Sequence, residues 1–408
     1  MPMPRPWLLA VLLAAVLGAA TPASGAPERR FTQDRFAIGF WVDPPADAEM
    51  DARYKEIAEA NFTLVIGGFG ATTPETVRRQ LRLCQKYGLK AVVARAGLPP
   101  DRLPDGPACW GYMLRDEPGA AAFPELRREA DAIQAARPGR FAYINLFPNY
   151  APAWALGTAT YDEHVERFVR EVAPRVLSMD HYPMMQPGAD SRESYCANLE
   201  TMRRCALEAG IPFWNFFNTM PFGPHFDPTE AAIRWQVYTS LAYGAKGVLY
   251  FCYWTPAGAE FPRGGAIITA EGRRTRHYEQ AKRINAALKH LGPTLMRLTS
   301  LGVRRLAPKQ DAAALEGTPI RRLDGGEWGA YLVGLFRHAD GRRAVLLTNY
   351  DYTHTSWPTV AFDADPARVR EVDPHTGREA PVVDDSPAME GLQVSLDAGE
   401  GRLFLLPP

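Results

Sequence analysis

Short apolar runs recur along most of the chain, and amphipathic segments separate them. Eight such runs lie between residues 34 and 292, at residues 36–42, 62–69, 89–96, 110–114, 141–147, 176–179, 211–217 and 247–253. They are almost continuously hydrophobic rather than alternating, which is typical of strands buried on both faces of a parallel sheet. The segments between them repeat apolar residues about every 3.6 positions, which predicts helices.

Helix boundaries support this interpretation. Thr73, Pro74 and Glu75 supply a cap, a first-turn proline and a first-turn acid, and Gly88 marks the end of that helix. Further helices are predicted over residues 123–136, 161–172, 193–209, 229–243 and 276–291. The third and fourth strands are joined by a Pro-rich stretch at residues 98–107, which predicts a loop or a single turn.

Strands that alternate with helices predict an α/β fold, and eight such strands predict a (β/α)8 TIM barrel over residues 34–292. The alternative is a doubly wound open sheet, which usually carries a Gly-rich phosphate turn. The only glycine cluster at a strand end, at residues 67–70, lacks the required spacing.

The pattern changes after about residue 295. Short runs occupy residues 331–336, 344–350, 359–362, 369–372, 392–396 and 402–406, and turns such as Asp340-Gly341 separate them. Residues 296–408 are therefore predicted to form a small C-terminal antiparallel β-sandwich domain. Its role is either structural packing or ligand binding.

Composition narrows the class of partner and the compartment. Lys+Arg and Asp+Glu both number 46, so no basic excess indicates nucleic acid or an anionic membrane. Residues 1–26 combine Arg5, an apolar stretch and a small-residue site ending at Ala26, which predicts a signal peptide and a secreted or periplasmic protein. An uncleaved membrane anchor is the alternative. The five cysteines include no CxxC pair, and no metal or other cofactor is expected.

The residues that follow the strands should line one rim of the barrel, where barrel enzymes carry their catalytic groups. The fourth strand ends in Arg115-Asp116-Glu117, and Pro118-Gly119 prevents its extension. Glycosidic cleavage requires a protonated carboxyl at the leaving oxygen and a second carboxylate as nucleophile or base. Glu117 is the predicted acid, and Asp180, at the end of the sixth strand, is the predicted partner. Asp43 and Glu260 are reserve candidates.

Aromatic, amide and charged residues at the same rim are typical of a carbohydrate site, because rings stack on sugar faces while polar groups bond hydroxyls. The residues predicted to bind substrate are Asp116, Asn145, Asn149, His181, Tyr182, Trp214, Asn215, His225, Trp254 and Arg95. Neighbouring strand residues point in opposite directions, so Asp116 either faces Glu117 or bonds elsewhere.

The Asp-Glu-Pro at residues 116–118, the segment at residues 238–254 and the terminal β-domain resemble secreted (β/α)8 glycoside hydrolases of the β-galactosidase-like type. The resemblance implies an acid/base residue after strand four, at Glu117, with Asp116 replacing the usual Asn. It also implies a glutamate nucleophile after strand seven, but residues 211–220 contain no carboxylate.

The sequence therefore predicts a glycoside hydrolase that acts on an oligo- or polysaccharide. Because strand seven lacks its carboxylate, three explanations stay open: Asp180 or Glu260 supplies the nucleophile, a water-activating mechanism operates, or the barrel binds carbohydrate without cleaving it.

Overall fold

The computed structural model describes residue 1 and residues 30–258, 261–309 and 315–407. The predicted signal peptide, apart from Met1, and the reserve carboxylate Glu260 lie outside the described residues.

The first part of the chain alternates strands and helices. The strands are β1 (Ala37–Phe40), β2 (Leu64–Ile66), β3 (Lys90–Val93), β4 (Cys109–Asp116), β5 (Phe141–Leu146), β6 (Leu177–Asp180), β7 (Phe213–Asn218) and β8 (Gly247–Phe251). The helices are α1 (Met50–Glu59), α2 (Pro74–Lys86), α3 (Phe123–Ala136), α4 (Ala153–Leu156), α5 (Tyr161–Val172), α6 (Arg192–Ala209), α7 (Glu230–Ala242) and α8 (Arg276–Leu295). A single 3₁₀ turn, Pro100–Arg102, joins β3 to β4.

The eight strands are parallel: β2 to β8 pair in chain order, and β8 also pairs with β1, so that only the seam between β1 and β2 has no ladder. Thr63, just before β2, closes the remaining seam: its N–H donates to the Ile38 carbonyl at 2.9 Å, and its Oγ1 accepts from the Ile38 N–H at 2.9 Å. The predicted TIM barrel is thus confirmed. The doubly wound alternative is wrong, because the sheet closes on itself and has no free edge strand.

Large aromatic residues fill the end of the barrel at which the strands begin. Trp110, Phe141, Tyr143 and Trp214 pack there as one buried cluster. The Trp214 Nε1–H donates at 2.9 Å to Oε1 of Gln33, which precedes the first strand. Trp214 was predicted to bind substrate at the rim, and this is wrong, because it is the second residue of β7 and lies at the opposite end of the barrel.

The second part of the chain forms two antiparallel sheets. Its strands are β9 (Leu298–Leu306), β10 (Ile320–Asp324), β11 (Tyr331–His338), β12 (Arg343–Asn349), β13 (Thr359–Phe362), β14 (Arg370–Val372), β15 (Glu379–Pro381), β16 (Leu392–Gln393) and β17 (Gly401–Leu405). Six strands in the order β15-β14-β17-β12-β11-β9 face three in the order β10-β13-β16 across a shared apolar core. The predicted C-terminal sheet domain is confirmed, although β9, β10 and β15 have too few apolar residues to appear as runs.

Helix α7 joins the two parts and is buried along most of its length. The Trp235 Nε1–H of α7 donates to the Tyr350 carbonyl at 3.0 Å. Gly334 of β11 approaches the helix so closely that a Cβ at this position would lie 2.6 Å from the Ala242 carbonyl oxygen. The β-domain therefore covers an apolar helix that would otherwise face water.

All five cysteines are buried free thiols. Among the helices of the described residues, none is both long enough and apolar enough to span a bilayer.

Gly247→Ala is expected to destabilise the barrel. A Cβ at Gly247 would lie 2.5 Å from the Trp214 ring and 2.9 Å from the Ala37 Cβ, with no free space in that layer. Overpacking of this kind costs about 1–3 kcal/mol, so the melting temperature should fall by several degrees. Gly106→Ala is the matched control, because nothing lies within 4 Å of its added Cβ. Equal melting temperatures for the two variants would contradict the tight packing around Trp214.

Candidate active site

Strand β4 presents its carboxylates through an irregularity in its pairing with β5. Met113 pairs with Tyr143, but Arg115 pairs with Ile144, so one extra residue is inserted in β4. A bulge of this kind reverses which residues face inward. Asp116 consequently pairs with Asn145 and faces the barrel axis with it, whereas regular alternation from Met113 would have turned Arg115 inward.

Glu117 follows in a left-handed backbone conformation, with φ at 44°. This conformation is unfavourable for a residue with a side chain and occurs where the surroundings enforce it, often at functional sites. Here the Glu117 N–H donates to the Asn145 carbonyl at 2.8 Å, which extends the β4–β5 ladder by one residue. The backbone thus turns sharply while it remains tied to β5.

Asp180 ends β6 and is buried, and its carboxyl interacts with that of Glu117, so that each affects the pKa of the other. The Asn145 Nδ2 donates to Asp180 Oδ1 at 2.9 Å and to Asp116 Oδ1 at 3.3 Å. One amide therefore holds two carboxylates, and the third carboxyl lies beside them. We refer to Asp116, Glu117 and Asp180 as the carboxyl cluster.

Ser178 and Tyr143 fix the orientation of the Asn145 amide. The Ser178 hydroxyl donates to Asn145 Oδ1 at 3.0 Å. Because Ser178 has one hydroxyl proton, the 2.8 Å contact with Tyr143 must use the Tyr143 hydroxyl as donor. This chain leaves the amide N–H groups of Asn145 pointing at the carboxylates.

The carboxyl cluster holds its protons more tightly than isolated carboxyls do. Burial and the negative charge of Asp116 raise the pKa of Glu117 to about 7, against a lowering by its hydrogen bond with Asp180. Burial, followed by the charges of Glu117 and Asp116, raises the pKa of Asp180 well above its ordinary value. Asp116 is accessible at the rim, but partial loss of hydration still raises its pKa.

No basic side chain relieves this repulsion. Among the described residues, no arginine or lysine lowers the pKa of Asp116 or Glu117. Two neighbouring carboxyls in a site without a basic partner do not both ionise readily, because two negative charges close together repel each other. The Glu117–Asp180 pair therefore retains one proton near neutral pH.

An aromatic wall stands beside the pair. The Tyr182 hydroxyl hydrogen bonds to Asp180, and the Tyr182 ring contacts the rings of Phe222 and Phe251, each with centroids 5.2 Å apart. The His225 ring packs on Phe222 at 4.6 Å. Tyr182 and His225 thus belong to one aromatic cluster beside the pair, and their contact with substrate stays a prediction.

Tyr150 forms a second side of the mouth, although the sequence analysis did not include it among the binding residues. Its ring packs edge-on against His181 at 5.1 Å, its hydroxyl bonds to the Tyr182 backbone, and 54% of it is exposed. The charges of Asp180 and Glu117 contribute to the raised pKa of Tyr150, which places it near the pair. Tyr143 and Ser178 were also missed; each lies two residues before a predicted site residue, on the same strand face.

Asp43 cannot act as the second carboxylate. It is buried, and its oxygens accept from the N–H groups of Phe69, Gly70 and Ala71 and from Gln80 Nε2, at 2.9–3.1 Å. Its role is to hold the loop between β2 and α2, so the reserve assignment is wrong.

Two amides assigned to substrate instead face the helices around the barrel. The Asn215 Nδ2 donates to the Tyr195 hydroxyl at 2.7 Å and to Ser240 Oγ at 3.0 Å. Asn149 bonds to Ser194 of α6 through both its amide nitrogen and its amide oxygen. The predicted substrate contact of Asn215 is wrong, because this side chain is fully buried against α6 and α7. The contact of the half-buried Asn149 with substrate stays a prediction.

His181, Arg95 and Trp254 are also held by neighbouring residues. Burial lowers the pKa of His181 to about 4, and its Nδ1 bonds to Asn198 of α6 at 2.9 Å. Arg95 forms an ion pair with Glu129 of α3. The Arg53 guanidinium lies over the Trp254 ring, 5.2 Å from its centroid. These three side chains support the rim, and none is hydrogen bonded to the carboxyl cluster.

Within the part of the chain that the structure describes, no group of three or more His, Cys, Asp or Glu side chains is arranged to hold a metal ion.

Comparisons with known proteins give a fold likeness and no family. No family model matches the chain, and no curated protein sequence matches it. Among solved structures, a family 42 β-galactosidase from G. stearothermophilus, crystallised as a catalytic mutant, superimposes with a TM-score of 0.59 at 9% identity over 93% of this chain and 99% of that chain. A family 39 glycoside hydrolase from Bacteroides cellulosilyticus WH2 gives 0.54 at 14% identity, over 93% and 82%. A β-galactosidase from Bacillus circulans sp. alkalophilus gives 0.55 at 10% identity, over 91% and 99%. The chain thus has the barrel and sheet-domain fold found in glycoside hydrolases.

Proposed function

We propose that this protein is a glycoside hydrolase that cleaves O-glycosidic bonds of an oligo- or polysaccharide. One observation carries the proposal: a carboxyl with a pKa of about 7, Glu117, lies beside a second buried carboxyl with a raised pKa, Asp180, at the rim of the barrel. General acids that work near neutral pH need a pKa in this range. The fold likeness to glycoside hydrolases supports the same class of reaction.

In the proposed mechanism Glu117 donates its proton to the glycosidic oxygen as the bond to the anomeric carbon breaks. Asp180 is the carboxylate that faces the developing positive charge on the sugar. Substrate entry has to separate the two groups first, and the Asn145 amide and the Tyr182 hydroxyl then remain as hydrogen-bond donors to the Asp180 anion.

We propose a retaining route for this pair. Inverting enzymes keep their carboxyls about 6.5–9.5 Å apart to accommodate a water, whereas retaining pairs are about 5–5.5 Å apart. Glu117 and Asp180 are near enough for each to affect the pKa of the other, which supports the closer spacing. Asp180 would then attack the anomeric carbon, and Glu117, now ionised, would take a proton from the water that releases the sugar.

A catalytically silent carbohydrate-binding barrel is the second candidate. Strand β7 ends at Asn218 without a carboxylate, where the resemblance to β-galactosidase-like barrels implies the nucleophile. The aromatic wall of Tyr182, Phe222 and Phe251 would bind a sugar in either case.

We also propose that the protein is exported. This proposal rests on the charged, apolar and small-residue order of residues 1–26 alone. Carbohydrate polymers outside the inner membrane would be the substrate in that compartment.

Glu117→Gln is expected to lower kcat by about 10²–10⁴, because amide nitrogen cannot donate the required proton. The measurement is hydrolysis of aryl glycosides and of plant and algal oligosaccharides by the full chain. The loss should be smallest for aryl leaving groups of low pKa, which need little protonation. Glu129→Gln is the matched control, since that carboxylate pairs with Arg95 outside the cluster. Full activity in Glu117→Gln would refute the assignment, and sugar binding by the wild type without turnover would support the silent barrel.

Glu117→Gln is also expected to stabilise the protein, and more so at alkaline than at acidic pH. The pKa of Glu117 rises from 4.5 to about 7 on folding, so the folded state holds a proton that the unfolded chain releases. The resulting penalty is absent below pH 4.5, grows as the pH rises, and is complete above about pH 7. Melting temperatures of variant and wild type, compared below and above this window, test the sign.

Glu129→Gln again provides the control for this second measurement. It only removes the partner of Arg95, so no gain in melting temperature at alkaline pH is expected. If Glu117→Gln gives the same difference from wild type at both ends of the window, the side chain holds no extra proton and the acid role loses its basis.

A further inference from the structure

The C-terminal domain contains a cavity of about 680 Å³ that is separate from the carboxyl cluster. The turn between β10 and β11, residues 325–329, forms one side, and the loop after β12, residues 349–357, forms the other. Two tryptophans line it: Trp328, which is 84% exposed, and Trp357, which is 59% exposed.

The exposure of these two side chains is unlike that of the tryptophans that build the fold. Trp110, Trp214 and Trp235 are almost completely buried. Fully burying an aromatic side chain is favourable by about 1.5–3 kcal/mol, so an indole left in water adds little to folding. Two such side chains at one cavity indicate a ligand that covers them.

Polar side chains line the same cavity as the two indoles. Asp351 Oδ2 bonds to His354 Nδ1 at 2.9 Å, which leaves the other ring nitrogen of this exposed histidine to face the cavity or solvent. Flat apolar rings combined with a carboxylate and an imidazole suit the alternating apolar faces and hydroxyl edges of a sugar.

The cavity is a formed site rather than a gap between loose loops. A Cβ at Gly325 or Gly329 would lie 2.2 Å or 2.6 Å from the Tyr331 hydroxyl, so the turn packs directly on that residue. The same hydroxyl bonds to Ser356 on the opposite loop. Asn349 fixes that loop by donating to the carbonyls of His354 at 2.8 Å and Asp397 at 3.1 Å. Both sides are therefore held before any ligand arrives.

The loop at residues 349–357 also reaches the active-site end of the barrel. The Arg192 guanidinium lies 6.0 Å from the ring centroids of both Tyr350 and Tyr352. Arg192 begins α6, and the loop before it follows Asp180, the last residue of β6. The start of α6 and the loop that carries Trp357 thus contact each other.

We propose that the Trp328–Trp357 cleft binds a carbohydrate chain and holds the polymer beside the mouth of the barrel. The class of ligand rests on the proposed function, whereas the existence of the site rests on the cleft itself. Both indoles would stack on sugar rings, and Asp351 and His354 would bond hydroxyl groups. The site would increase the action on polymers and leave short substrates unaffected.

The test uses the full chain carrying Glu117→Gln, so that no polymer is consumed. Its migration is measured in native gels that contain xylan, mixed-linkage β-glucan, galactan, pectin or alginate. At least one polysaccharide is expected to retard the protein, and Trp328→Ala with Trp357→Ala is expected to weaken that binding by about tenfold or more. When Trp357→Tyr replaces Trp357→Ala in the double variant, part of the polysaccharide binding should return. Leu301→Ala removes another exposed apolar side chain of the same domain and is the control. Melting temperatures establish that each variant is folded.

Retardation that persists in the double variant, or no retardation by any of the five polysaccharides, would overturn the proposal. Self-association of the parent that the double variant abolishes would assign the cleft to a contact between copies of this chain and would also overturn it. With Glu117 intact, the same tryptophan substitutions should leave kcat/KM for aryl glycosides unchanged. A wild-type chain that hydrolyses no glycoside but shows tryptophan-dependent retardation would refute the proposed function alone.

Discussion

The proton shared by Glu117 and Asp180 is the constraint on which the rest of the site depends. These two neighbouring carboxyls, with Asp116 beside them, repel one another unless one stays protonated. No arginine or lysine among the described residues lowers the pKa of Glu117, so burial and mutual repulsion hold the proton in place. A carboxyl kept in this state is an acid at neutral pH, which is the property that glycosidic cleavage requires.

Such an arrangement is unfavourable by itself, and the surrounding fold supports it. The extra residue in β4 turns Asp116 inward, and the ladder bond to the Asn145 carbonyl holds Glu117 in its left-handed conformation. Tyr143 and Ser178 then fix the Asn145 amide so that its N–H groups face the carboxylates. These contacts join β4, β5 and β6 at one rim, and a closed barrel keeps the three strands in register.

The C-terminal domain contacts the barrel in two places. It covers α7, which is buried along most of its length and hydrogen bonds to the domain through Trp235. It also places a tryptophan-lined cleft on a loop that contacts the start of α6. A polymer held in the cleft would lie on the same side of the molecule as the carboxyl cluster.

The sequence by itself determined the number of barrel strands, the presence of a second β-domain, and the fact that Glu117 and Asp180 follow strands four and six. Those features depend on local pattern: continuous apolar runs, helix caps and a Pro-Gly stop. Only the tertiary structure decided which rim residues meet. Asp116 faces inward because of a bulge in β4 that the local sequence pattern does not predict. Trp214 and Asn215 follow each other on β7, yet one fills the far end of the barrel and the other bonds to α6 and α7. The physical reason is that a strand residue's direction and depth depend on register with its neighbours, which is fixed only when the barrel closes.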